Sequence, residues 1–224
     1  IMSVGRTIIK LLTFKISRQE LLLLDNRHLA AGIIGTWLVG MGRYWDDPGA
    51  KLLQHLGLGS VIYIFCLSAF IWLIVLPFKP AGCTYKAVLT FVSLTSFPAL
   101  LYAIPVERFF SIGIATRLNV WFLAIVATWR LALLFFYLRR FAQLPSYLVT
   151  TVALLPVCLI VTALSILNLE RVVFNIMGGL RENNANKGAY MVVLVLTVIS
   201  AILALPLLII YIKGIMSERK KRLS

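Results

Sequence analysis

The sequence predicts an all-α fold: a polytopic membrane protein, a six-helix transmembrane bundle led in by an amphipathic interfacial helix. Three observations predict it. Mean hydropathy is +0.95, and only 13% of the 224 residues are charged, whereas a soluble domain carries about a quarter. Five apolar stretches reach the roughly 20 residues that a spanning helix needs. The basic residues collect at the ends of those stretches, where they meet headgroups rather than hydrocarbon.

In order along the chain, residues 1–27 form an interfacial segment on the cytoplasmic side. Within it Arg6, Lys10 and Lys15 alternate with Ile8, Ile9, Leu11, Leu12 and Phe14, a composition suited to a helix lying in the headgroup layer. It does not have the form of a cleavable signal, since polar residues break its apolar run. Ser17 and Glu20 have capping-box spacing, which starts a second helix at Arg18. The transmembrane domain covers 28–213, with spans at about 28–45, 58–77, 85–104, 118–138, 146–168 and 189–212. The first is the shortest, yet it carries no charge between His28 and Arg43. Residues 214–224 are a basic tail.

Placing both termini on one side puts fourteen Lys and Arg there and seven on the other, leaving Arg130 within a span. Positive charge is retained on the cytoplasmic side, so both termini are expected in the cytosol of a plasma or inner membrane. The net charge of +14 then points to an anionic inner leaflet as partner. Nucleic acid, the other conventional partner of such charge, is not expected, because the cations flank apolar runs.

Gly32, Thr36 and Gly40 recur every four residues, with Gly35 beside them, forming a nearly side-chain-free stripe on the first span. Such a stripe lets another helix approach closely, inside the bundle or across a dimer contact. The stretch "GMGRYWDDPGAK" follows. Tyr44 and Trp45 suit headgroup level, and Asp47 before Pro48 reads as a helix start. Arg43 and Asp46 are not explained by that signpost role. The other exterior connections carry the adjacent pairs Glu107-Arg108 and Glu170-Arg171. Neighbours on a helix diverge by about 100°, so each member faces a different partner. Inter-loop salt bridges, or a polar site beneath an outer cap, are the two readings of these residues.

Arg130 is nine positions from Arg139, roughly 13–14 Å along a helix and near the middle of a core about 30 Å thick. It cannot escape its charge by deprotonating, so it needs acceptors. Ser93, Thr95, Ser96 and Thr128 are at suitable depth, and carbonyls freed near Pro98 or Pro156 would also serve. Pro98, Pro156 and Pro206 each fall within a span and are expected to interrupt it. An intramembrane Arg is a functional candidate by default.

No H-E-x-x-H, G-x-S-x-G, P-loop or dinucleotide fingerprint is present, and the three cysteines and two histidines form no metal-ligand spacing. Neither catalytic residue nor cofactor is therefore assigned. The leading expectation is a non-enzymatic accessory, scaffold or assembly subunit, self-associating or held in a larger membrane complex through the stripe of the first span. The alternative is a small transporter or channel-like protein with a polar path at Arg130. A third class is a lipid-modifying enzyme using Asp46, Glu107 or Glu170 at the outer face.

Overall fold

A computed structural model describes residues 3–46, 49–50, 52–167 and 187–223. It divides into two units, Ile1–Gln143 and Leu144–Ser224. All regular structure among the described residues is helical. Five helical segments are long and apolar enough to cross a membrane: Leu58–Phe78, Tyr85–Phe109, Gly113–Arg140, Ser146–Ile166 and Leu194–Lys220.

The first unit opens with α1 (Val4–Leu12), capped by the Ser3 hydroxyl, which accepts from the Arg6 N–H. Thr7, Leu11 and Ile16 have no exposed surface. His28 Nε2 lies 3.2 Å from Thr7 Oγ1, Trp129 Nε1 donates to the Leu12 carbonyl at 3.0 Å, and Phe14 meets the edge of Phe136. The leading helix is thus docked on its own chain by its inner face. Arg6, Ile9 and Lys15 remain exposed on the other side.

Helix α2 (Arg18–Leu22) begins where the capping box requires. Ser17 Oγ accepts from the Glu20 N–H, and Glu20 Oε2 accepts from the Ser17 N–H at 2.8 Å. Lys10 donates to the same carboxylate. That hydrogen bond first, and the Ser17 amide second, hold the Glu20 pKa at about 2 instead of 4.5. Its pKa is depressed on folding, so its contribution is complete above about pH 4.5 and disappears as pH falls through about 2. The Ser17 amide proton followed by NMR should accordingly titrate with a midpoint near 2. A midpoint at the ordinary carboxylate value would contradict the capping contact.

Helix α3 (Asn26–Gly42) is capped by Asp25, which accepts from the Arg27 and His28 amides. At 17 residues it falls short of the five longer segments, and it ends at Gly42, three residues before the predicted end of the span at 45. Helix α4 (Leu52–His55) is one turn and starts beyond Asp47 and Pro48, which lie outside the described residues. Helix α5 (Leu58–Val75) runs into a 3-10 turn at Leu76–Phe78, where Pro77 occupies the first turn.

The third span does not continue as one helix. Helix α6 (Tyr85–Leu94) ends four residues before Pro98, and a 3-10 helix, Phe97–Ala103, follows. Proline has no N–H to return to the carbonyl four residues back, so the α-ladder stops there. Pro156 and Pro206, by contrast, lie inside continuous helices, so the expected interruption occurs only at Pro98. Helix α7 (Val106–Phe109) is a surface turn, and α8 (Ile112–Arg140) extends past both predicted ends of its span.

The stripe on α3 is used inside this unit. A Cβ on Gly32 would lie 2.2 Å from Ser93 Oγ, one on Gly35 2.5 Å from Phe97 Cζ, and one on Gly40 2.7 Å from Ser60 Oγ. Thr36 Oγ1 donates to the carbonyls of Gly32 and Ser93. The backbones of α3, α5 and α6 therefore approach as closely as small residues permit. Val39, Ala99 and Val126 close the packing between α3, the 3-10 helix and α8. Phe91, Tyr137 and Phe141 stack in series at 4.1 and 4.8 Å.

The second unit is a helical pair, α9 (Ser146–Ile166) and α10 (Lys187–Leu223). Leu155, Cys158 and Leu207 form its seam, flanked by Leu154, Ala204 and Tyr211.

Candidate functional site

The C-terminal end of α3 delivers Arg43 to a cluster of phenols. Its backbone N–H still closes the last helical turn onto the Val39 carbonyl. Its guanidinium carbon is 5.4 Å from the Tyr44 ring centroid and 4.9 Å from that of Tyr102. Nε and Nη2 are shut off from the exterior and have no hydrogen-bond partner. Two aromatic faces offer a guanidinium about 0.5–2 kcal/mol each. Rings supply no in-plane lone pair, however, and a buried N–H without an acceptor costs about 1–3 kcal/mol. The imbalance is local to one edge of one side chain.

Arg130, on α8, has its guanidinium carbon 5.6 Å from the Tyr63 ring of α5. Three of the hydroxyls expected to satisfy it are turned to backbone carbonyls instead. Ser93 Oγ donates to the Thr90 carbonyl, and Thr95 Oγ1 and Ser96 Oγ donate to that of Val92. Those hydroxyls close onto their own helix just before it breaks. Tyr102 packs against the cluster of Val39, Ala99 and Val126. Arg43 follows Val39 by four residues at the end of α3 and Arg130 follows Val126 by four on α8, so the two guanidinium groups start one helical turn from the residues that hold this ring.

Two acids of the neighbouring loops, Asp46 and Glu107, are engaged elsewhere. Asp46 Oδ2 stands 3.9 Å from Arg108 Nε, an ion pair beyond hydrogen-bonding length. Glu107 accepts from Asn119 Nδ2 at 2.7 Å. Arg108 covers Trp45 at 4.7 Å, and Trp45 Nε1 donates to the Ala103 carbonyl. Glu107 and Arg108 therefore do face different partners, and Asp46 belongs to an inter-loop clamp. Among the described residues no salt bridge involves Arg43 or Arg130, and no group of acids, histidines or cysteines could hold a metal.

Of the sequence-predicted residues, Arg43 lies over Tyr102 and Arg130 over Tyr63, while Asp46 and Glu107 take part in the loop contacts with Arg108 and Asn119. Ser93, Gly32, Gly35, Thr36 and Gly40 belong to the helix packing. Glu170 and Arg171 lie outside the described residues. Tyr63 and Tyr102 were not anticipated. Their signal in the sequence is faint, because tyrosines near span ends read equally well as interfacial anchors. Comparison with protein-family models, with curated proteins and with solved structures finds no match to this chain.

Proposed function

We propose that this is a small transporter- or channel-like membrane protein whose polar path runs by Arg130 and Arg43. It crosses the bilayer six times, with α3 as the first and shortest crossing, both termini in the cytosol, and α1 resting its exposed face on the inner leaflet. The observation that supports the activity is the pair of guanidinium groups held against the Tyr102 and Tyr63 rings, with no acid paired to either among the described residues. A structural pair would be expected to carry its own counter-charges, because uncompensated charge in a bilayer is expensive. The fourteen-to-seven distribution of Lys and Arg supports the orientation.

Purified protein in liposomes should pass chloride or phosphate faster than protein-free liposomes. Arg130→Gln should lower that flux by at least about tenfold, the scale of one lost charge-assisted contact, without altering elution from a sizing column. No flux from the unaltered protein would overturn the reading. The accessory-subunit reading keeps one supporting observation: only 11% of an apolar 18-residue stretch within Leu194–Lys220 is buried among the described residues, so α10 has flank available to a second subunit. Its earlier contact, the α3 stripe, lies within the chain's own packing. A stoichiometric partner after gentle-detergent purification, together with nil flux, would establish it.

A further inference from the structure

We infer that Arg43 and Arg130, with the phenols of Tyr63 and Tyr102, form a binding site for a phosphate group. This deepens the polar-site reading above and rests on it only for treating the cluster as ligand-handling, not for passage across the membrane. The Nε–Nη2 edge of a guanidinium presents two parallel N–H donors that match two oxygens of one oxyanion. In Arg43 that edge has no acceptor among the described residues. Arg130 contributes the second cation; its guanidinium lies over the Tyr63 ring face, and among the described residues it forms no salt bridge. The rings of Tyr102 and Tyr63 lie against the two guanidinium groups, and each ring carries a hydroxyl able to donate.

Phosphate is favoured over a simple halide because fork-shaped donors reward several oxygens at fixed spacing, whereas a halide offers one centre. It is favoured over a partner's carboxylate because a second cation, Arg130, lies one helical turn from Val126, in the cluster against which Tyr102 packs beside Arg43, and two cations suit a group that spreads charge over three or four oxygens. The Tyr44-Trp45 pair next to Arg43 suits headgroup level. The phosphate could therefore be that of a lipid headgroup or a free anion, and the test separates the two.

The full chain, purified in a maltoside detergent free of phosphate, is titrated with phosphatidic acid, with the diacylglycerol that lacks only the phosphate, and with inorganic phosphate. Retention is read by native mass spectrometry, and stabilisation by the melting midpoint. Phosphatidic acid should bind and diacylglycerol should not. Stabilisation by inorganic phosphate as well would identify a free-anion site, and its absence a headgroup site. Arg43→Gln and Arg130→Gln should each weaken binding by at least about tenfold, while Arg6→Gln, at an exposed cation of α1 that meets the inner leaflet, should weaken it far less. Should Arg43→Gln fail to fold, Arg130→Gln and Tyr102→Phe carry the test. Equal binding by diacylglycerol, equal loss in Arg6→Gln, or undiminished binding in the Arg130 variant would each overturn the inference. A protein partner whose carboxylate occupies Arg43 would overturn it too. Phosphate binding without flux would leave this site standing and remove the transport reading. Flux of an anion that Arg130→Gln abolishes, with no phosphate binding, would do the reverse.

Discussion

Gly57→Val is expected to lower the melting midpoint of the purified protein by roughly 6–12 °C, the counterpart of about 3 kcal/mol in a chain of this size. Two terms add at this residue. Gly57 is left-handed, at φ +65°, a conformation that costs an L side chain about 1–2 kcal/mol and is least tolerable for a β-branched one. A Cβ there would also lie 2.7 Å from both the Met41 N and the Trp37 O. Those are backbone atoms of α3, so no side-chain rotation relieves the clash, and overpacking of this kind adds about 1–3 kcal/mol. The residue is the hinge between α4 and α5, held by Gly57 N–H to the Gln54 carbonyl and by Ser60 N–H to the Gly57 carbonyl. Trp37 Nε1 donates to the preceding carbonyl, that of Leu56, at 2.7 Å. Displacing the hinge therefore moves α5 against the end of α3, two residues from where Arg43 is presented. Gly59→Ala is the control, since nothing lies within 4 Å of its Cβ position. A midpoint for Gly57→Val indistinguishable from that of the control would mean that α3 and α5 do not meet in this way.

What could be read in advance follows from the range of the forces involved. Helical crossings are legible because hydropathy over 20 residues is a local property, and five of the long segments coincide with predicted spans. Capping at Ser17 is legible for the same reason, since it depends on residues three apart. The α3 stripe announced close packing but not its partner: Gly32 and Thr36 meet Ser93, about sixty positions away, and a small-residue surface fits any helix that approaches. The break after Leu94 needed Pro98 to be weighed against Pro156 and Pro206. The latter two are tolerated inside helices because neighbours can compensate the freed carbonyls. Arg130 was legible as a problem and not as a solution. Depth alone matched it with Ser93 and Ser96, yet those hydroxyls bond their own helix. The phenols that face Arg130 and Arg43 come from α5 and the 3-10 helix, a pairing that only tertiary packing defines.

The contact between α3 and α6 can be measured directly, because two of the atoms that would obstruct a side chain at Gly32 belong to one removable group. Gly32→Ala places a Cβ 2.2 Å from Ser93 Oγ, 2.8 Å from Ser93 Cβ and 3.2 Å from the Leu94 N. Alone it should destabilise the protein by about 2–3 kcal/mol, the range for overpacking a tight site. Ser93→Gly removes the first two obstructions. It also removes a hydroxyl whose bond to the Thr90 carbonyl contributes about 1 kcal/mol, and it introduces a helix-interior glycine that costs about 1 kcal/mol more. If the helices pack as described, the double substitution should be more stable than the sum of the two single ones by about 1–2 kcal/mol, a coupling expected only of residues in contact. The residual loss is assigned to the Leu94 backbone, which cannot be cut away, and Gly32→Leu should therefore not be rescued by the same change. A stripe that instead faced a second copy of the chain would behave differently. Gly32→Ala would then leave the midpoint of the monomer unchanged, Ser93→Gly would not couple to it, and the loss would appear only in the oligomer fraction on a sizing column.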